Sequence, residues 1–171
     1  MSSFRKEYDA LADAIKSHVV VTDAVEIGAD APLPSYYYSE SATWDTGAQF
    51  TFISPRIVEA LGLKPSGRGR FMGIGGDQES YTYKVHIVLS NGKVMHNAEV
   101  FCSELDDYDL LIGMDIITQT DFLITNADGK TTFQFFDERS DKSITAHPAR
   151  AAWNYKLNAE SNPHATPQRV K

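Results

Sequence analysis

The sequence predicts an all-β fold built from antiparallel hairpins, and three observations carry that prediction. In Tyr81, Tyr83, Val85, Ile87 and Leu89 the apolar residues fall on every second position, the period of a strand with one buried face. Asn91-Gly92 and Asp128-Gly129 each stand between apolar runs. Both dipeptides tolerate positive φ, so each marks a tight type I′ hairpin. Finally, the β-branched run Val19 to Val25 and the aromatic run Tyr36 to Tyr38 are separated by the breaker-rich stretch Gly28 to Pro34, which reads as two strands and a loop.

Taken in order, the chain opens on Phe4, Tyr8, Leu11, Ala12 and Ile15. Their spacing fits one stripe of a helix over residues 4–16 packed on a sheet, so residues 1–17 are expected to be an N-terminal helix. Two strands follow, and a third leads into Trp44. There Asp45-Thr46-Gly47-Ala48 interrupts the apolar pattern before Phe50, Phe52 and Ile53 resume it. Ser54-Pro55 is a helix start, serine capping and proline fitting the first turn, and Gly62 suits a left-handed exit. A short helix from Pro55 to Leu61 would bury Ile57, Val58 and Leu61. Lys64 to Arg70 reads as a basic connector, and Gly73-Ile74-Gly75-Gly76 as a flexible turn. The alternating strand then returns through Asn91-Gly92 into Val94 to Phe101. Leu110-Leu111-Ile112 ends in Gly113, Met114 to Gln119 suits a helical turn, and Phe122 to Ile124 and Thr131 to Phe136 flank the last hairpin.

From Ser140 to Lys171 the periodicity stops, and Lys142, Arg150, Lys156, Arg169 and Lys171 outnumber Asp141 and Glu160. Residues 140–171 are therefore expected to form a mobile basic tail, leaving 18–139 as the folded domain.

Composition narrows the function. The 171 residues are 42% apolar and 23% charged, which suits one packed domain. A net charge of −7 disfavours a general phosphate-binding surface, so nucleic acid is not an expected partner. Cys102 is the single cysteine, so no intrachain disulfide or thiolate metal cluster can form. No apolar run approaches the roughly 20 residues that span a bilayer, and the charged first twenty residues lack a signal-peptide core. No membrane partner is expected, and the expected location is cytoplasmic.

The informative segment is Asp45-Thr46-Gly47-Ala48. A carboxylate on a tight turn between buried strands is held rigidly. Gly47 lets backbone amides approach it, and Thr46 supplies a hydroxyl able to bond a neighbouring backbone. Alone, an Asp-Thr-Gly turn is more often just a turn. Its context is more specific: Ile53-Ser54 after the turn, the glycines at 73 to 76, and Leu111-Ile112-Gly113 some distance on.

This order resembles the retroviral-type aspartic proteases, the retropepsin-like family, over about residues 41 to 136. The resemblance implies a closed barrel with short helices and, by position, gives Asp45 the catalytic role in a turn with Thr46, Gly47 and Ala48. Gly73, Ile74, Gly75 and Gly76 become the tip of a substrate-covering flap, and Leu111, Ile112 and Gly113 the segment behind the turn. Gln49 and the stretch Met114 to Phe135 look like the retropepsin-like domain of eukaryotic ubiquitin-shuttle proteins. Trp44, bulkier than the aliphatic residue usual there, and the polar Asp77-Gln78-Glu79 depart from the pattern.

Counting supplies the rest of the expectation. Hydrolysis by carboxylates takes two that share a proton, one acting as base and the other as acid. No second Asp-Thr-Gly or Asp-Ser-Gly occurs in the chain, so the expected enzyme is a homodimer pairing Asp45 from two copies and cutting an extended polypeptide, without metal or other cofactor. The rival is a dimeric peptide-binding module of the same fold that hydrolyses nothing. His18, His86, His96, His147 and His164 lack metal-ligand spacing. Cys102 reads as an inert thiol, the acidic run Glu104 to Asp109 as a solvated loop, and Tyr36 to Tyr38 as strand packing.

Overall fold

The computed structural model describes residues 2–25, 34–73 and 75–137. Among these described residues ten strands and two short helices run in the order β1 (Ser2–Glu7), β2 (Ile15–Asp23), β3 (Tyr36–Trp44), β4 (Phe52–Ile53), α1 (Pro55–Leu61), β5 (Gly67–Gly73), β6 (Gly76–Leu89), β7 (Val94–Cys102), β8 (Leu110–Ile112), α2 (Met114–Ile117), β9 (Asp121–Ala127) and β10 (Lys130–Asp137). The main sheet has the order β2-β3-β8-β4-β7-β6-β5, and β2 also pairs with β6. That extra pairing joins Val19 to Leu89 and Asp23 to Val85 and closes six strands into a barrel, leaving β5 outside it. Val19, Val21, Ile53, Ile57, Val85, Ile87, Leu110 and Ile112 are completely buried inside. A second, three-stranded sheet, β1-β10-β9, lies against it through Phe133 and Phe135, which pack on Trp44 at centroid distances of 5.2 and 4.9 Å.

The N-terminal segment corrects the expected helix over residues 1–17: Ser2–Glu7 is a strand paired antiparallel with β10. Ser3, Arg5 and Glu7 are exposed while Phe4, Lys6 and Tyr8 turn inward, so the true period is two. Lys6 disguises it. Its stem lies inward, its ammonium sits 4.9 Å from the Tyr8 ring centroid, and it donates to the Lys16 carbonyl at 3.0 Å. A long aliphatic stem can fill an apolar position in this way. Burial first, then the charge of Lys16, lowers its pKa. Leu11, counted in the helical stripe, is 63% exposed.

Other local readings are refined. The Tyr36 run and the strand into Trp44 are one strand, β3. The connector of residues 64–70 becomes strand from Gly67. Gly62 leaves α1 with φ 62°, as its left-handed exit required, but the Ser54 hydroxyl makes no capping bond and is buried without a partner among the described residues. Asp128 and Gly129 both have positive φ, 51° and 74°, as a type I′ turn needs. At the other hairpin only Gly92 does, at 83°. Leu89 and Lys93 bracket a three-residue loop in which the Gly92 N–H donates to the Leu89 carbonyl at 2.7 Å and the Leu89 N–H to the Lys93 carbonyl at 2.8 Å. The Asn91 carboxamide oxygen accepts from the Lys93 amide at 3.0 Å, an Asx bond that holds the loop without a left-handed asparagine. The expected tail, residues 140–171, lies outside the described residues.

Candidate active site

Asp45 follows directly on the last residue of β3, and the chain needs seven residues, 45–51, to reach β4. β8 lies between these two strands, parallel to β3 and antiparallel to β4. Leu111 therefore sits opposite both Thr43 and Phe52, and Ile112 opposite Trp44. The Ile112 carbonyl accepts the Asp45 N–H at 3.0 Å. Leu111, Ile112 and Gly113 thus run immediately behind the turn.

Within the turn the Gly47 N–H donates to Asp45 Oδ1 at 2.8 Å, and the Ala48 N–H to the Asp45 carbonyl at 3.3 Å. A Cβ on residue 47 would stand 3.1 Å from Asp45 Oδ1, tight enough to disturb the carboxylate it holds. Asp45 is half-buried, while Thr46 and Gly47 are exposed. The carboxylate is thus fixed from the protein side and open on the other.

The far end of the turn is pinned by two residues the sequence did not single out, Thr51 and Asp115. Thr51 is buried; its N–H and hydroxyl donate to the Asp115 carboxylate at 3.0 and 2.7 Å, and its hydroxyl accepts the Gly113 N–H at 3.1 Å. The Met114 N–H donates to the Ala48 carbonyl at 2.8 Å and the Asp115 N–H to Gln49 at 3.3 Å. Gly113 is required by contact: a Cβ there would overlap the carbonyl of Phe50. Charge-assisted bonds to a carboxylate are stronger than neutral ones, so Asp115 is the main clamp on the turn. Thr51 and Asp115 stand 64 residues apart, and no local motif joins them.

The remaining surroundings explain the departures from the family pattern. Trp44 donates from Nε1 to Ser17 Oγ at 3.0 Å and fills the gap between barrel and second sheet, so its bulk is used for packing. A pocket in front of it is lined by Asp13, Trp44, Asp45, Ile124, Asn126 and Thr131, among others. Tyr108, also missed from sequence, has its phenol pKa raised by burial first and then by the charge of Asp45.

Gly73, Gly75 and Gly76 form the end of the β5–β6 hairpin, with Gly73 opposite Gly76 and positive φ at Gly75 and Gly76. Ile74 lies outside the described residues. The hairpin carries the ion pairs Arg70–Asp77 and Arg68–Glu79, the latter at 3.2 Å, which accounts for its polar sequence. Phe71 anchors it on Phe52 and Phe101, at 4.8 and 5.2 Å between centroids. Because Phe52 belongs to the strand leaving the Asp45 turn, hairpin and turn share one aromatic footing. Gly69 lies so close to the Phe101 ring that a Cβ would come within 2.8 Å of it.

The other candidates among the described residues sit as follows. Burial first, then Glu104, raises the Cys102 thiol pKa, which disfavours the thiolate a nucleophile needs. Asp109 leaves the solvated acidic run to pair with Arg56 at 3.1 Å. Among the described residues no three His, Cys, Asp or Glu side chains converge as metal ligands.

The family model described as "gag-polyprotein putative aspartyl protease" matches residues 40–119, the stretch that holds the Asp45 turn, the glycine hairpin, β8 and α2. Over that stretch, just under half of the chain, the sequence is similar to this aspartyl protease family. Among solved structures the chain is similar to EIAV protease in complex with an inhibitor, at 17% identity, TM-score 0.46, covering 65% of this chain and 90% of that one. It is also similar to a retropepsin-like aspartic protease from Rickettsia conorii, at 14% identity, TM-score 0.44, covering 78% and 94%. No curated protein matches the sequence significantly.

Proposed function

We propose that the chain is an aspartic endopeptidase in which Asp45 of two copies forms one catalytic dyad. The observation that carries this reading is the Asp45 turn itself, clamped from behind by β8, Thr51 and Asp115 yet open in front. A rigid carboxylate with one accessible side suits a group that must meet its twin and a water. In the dyad one carboxylate is ionised and the other protonated. The ionised one takes a proton from water as the water oxygen bonds to the scissile carbonyl carbon, and the protonated one donates to the carbonyl oxygen. The carboxyl that took the water proton then gives it to the amide nitrogen while the other carboxylate takes a proton from a diol hydroxyl, so that the carbon–nitrogen bond breaks, a carboxylic acid and an amine leave, and the dyad again holds one proton. The extended substrate would lie as a strand under the β5–β6 flap.

The direct test is incubation of the protein with an unstructured, denatured protein between about pH 4 and 7, with and without a statine-type inhibitor. Cleavage suppressed by the inhibitor is expected. Inhibitor or peptide binding without cleavage would instead identify a binding module.

The flap reading has its own test. Glycines at 73, 75 and 76 make opening inexpensive in backbone terms, so amide hydrogen exchange at Gly75 and Gly76 is expected to slow when a peptide inhibitor binds. Equal exchange in the two states contradicts a lid.

Ala48 provides a third prediction, because in pepsin-like relatives of the family this position is usually serine. A hydroxyl there, donating to the neighbouring carboxylate, favours its ionised form by about 1 kcal/mol, somewhat under one pH unit. In Ala48→Ser both limbs of the kcat/KM profile are expected to move toward acid. A profile superimposed on wild type shows that the hydroxyl does not reach the carboxylates.

A further inference from the structure

The pocket in front of Trp44 has a lining that peptide-bond hydrolysis by itself does not require. Its volume is about 400 Å³, within the range of ligand pockets. Ile15, Trp44 and Ile124 give it apolar walls, and its charged lining is Asp13 and Asp45; among the described residues no Lys or Arg faces it. The neighbouring polar groups are engaged with one another: Thr131 Oγ1 accepts the Ala12 N–H at 2.9 Å and donates to Asn126 Oδ1 at 2.6 Å. Asp13 is exposed and forms no ion pair among the described residues. The arginines of α1 and the flap are neutralised elsewhere, Arg56 by Asp109, Arg68 by Glu79 and Arg70 by Asp77. Burial first, then the charges of Asp45, Asp106 and Asp107, raise the Tyr108 phenol pKa, so acidic groups also reach Asp45 from the segment before β8. The pocket thus joins apolar walls to an uncompensated carboxylate at its mouth. Lysine and arginine match that combination, because their stems lie along apolar surface while the charged head stays at a polar rim.

We propose that Asp13 is a specificity residue of the Asp45 site, and that the pocket takes a lysine or arginine of the substrate within two residues of the bond that is cut. The inference rests on the peptidase reading above and names its substrate class, basic segments of extended polypeptide. An extended chain rises about 3.3 Å per residue, so a side chain in a pocket whose wall includes the reacting carboxylate belongs to an immediate neighbour of the scissile bond. Its stem lies along Trp44 and Ile124, and its cation meets Asp13. Asp13 takes no part in the proton transfers, so its charge stays constant while that of the dyad is redistributed. Because Asp13 is exposed, the preference it confers is about five-fold at low salt and is screened at high salt.

The test uses the full-length protein. Cleavage sites are mapped in an unstructured, denatured protein, and a lysine or arginine within two residues of the cut bond is expected at most of them. Labelled peptides of one such site, carrying lysine, norleucine or glutamate at that position, are then compared. In dilute buffer kcat/KM is expected to be about five-fold higher for lysine than for norleucine. The ratio is expected to fall toward one at about 0.5 M salt and in Asp13→Asn, and below one in Asp13→Lys. Cut sites without basic neighbours, a ratio near one in wild type, a ratio indifferent to salt, or a ratio unchanged in the folded variants each overturn the proposal; the salt series on wild type serves if the variants fail to fold. The two readings fail separately. Hydrolysis without a basic preference keeps the enzyme and defeats the Asp13 pocket. Where no peptide is cut, fluorescence anisotropy of the same peptides decides: tighter binding of the lysine peptide, lost in Asp13→Asn, keeps the pocket without the enzyme, and equal or absent binding defeats both.

Discussion

Asp45→Asn is expected to lower kcat/KM for peptide hydrolysis by at least about three orders of magnitude, within the range that positioned acid–base groups supply, with fold and dimer unchanged. Asparagine keeps the shape of the side chain, and its carbonyl oxygen can still accept the Gly47 N–H that Asp45 Oδ1 accepts at 2.8 Å. It cannot take a proton from water. Because each site would use two copies, mixed dimers also test the role: titrating wild type with excess Asp45→Asn chain should suppress activity as heterodimers form. Full activity in a preparation verified free of wild type would remove Asp45 from the mechanism.

Gly113→Ala is expected to be the most damaging small substitution in the chain. Gly113 is buried, and a methyl group there would overlap the Phe50 carbonyl, part of the segment that carries the turn. The backbone cannot yield locally, because the Gly113 N–H is held by Thr51 and the adjacent Met114 N–H by Ala48. Overpacking against fixed backbone costs typically 1–3 kcal/mol and more where nothing can shift, so a loss of about 3 kcal/mol or greater is expected in urea unfolding. Gly129→Ala, where a Cβ has open space but φ is 74°, should cost less, about 1 kcal/mol. Equal, small losses for both would show that the close packing of β8 behind the turn is not what holds it.

The barrel strands were legible because their signals are local. Tyr83, Val85, Ile87 and Leu89 of the alternating series share the main core, although Tyr81 is exposed and Val88 on the other face is buried with Val20, and the Asp128-Gly129 turn depends on two adjacent residues alone. The first strand was not legible, because Lys6 occupies an inward position through its stem and so breaks the apolar alternation that a strand shows. At Asn91-Gly92 the hairpin was legible and its type was not, since the Asx bond to Lys93 offered the backbone an alternative to two left-handed residues.

The candidate site divides in the same way. Asp45, Gly47 and the Leu111-Ile112-Gly113 run have a sequence pattern of their own, and the fold brings them together. The clamp from Asp115 to Thr51 has none, because a carboxylate and a hydroxyl 64 residues apart meet only once β8 has entered between β3 and β4. The exposure of Phe122 and Ile124 was equally hidden: in sequence they share the apolar pattern of Phe133 and Phe135, and only the order of the strands leaves one pair covered and the other bare.

That one chain holds half a catalytic site is the central claim, and dilution tests it most directly. The hydrolysis rate per chain should be measured on a peptide substrate over several decades of protein concentration, alongside sedimentation of the same samples. Rate per chain is expected to fall as the dimer dissociates, with the two curves sharing one midpoint, because only the dimer assembles two Asp45 carboxylates. A rate per chain that stays constant through complete dissociation to monomer would show that a single chain carries the whole site, and would contradict the account.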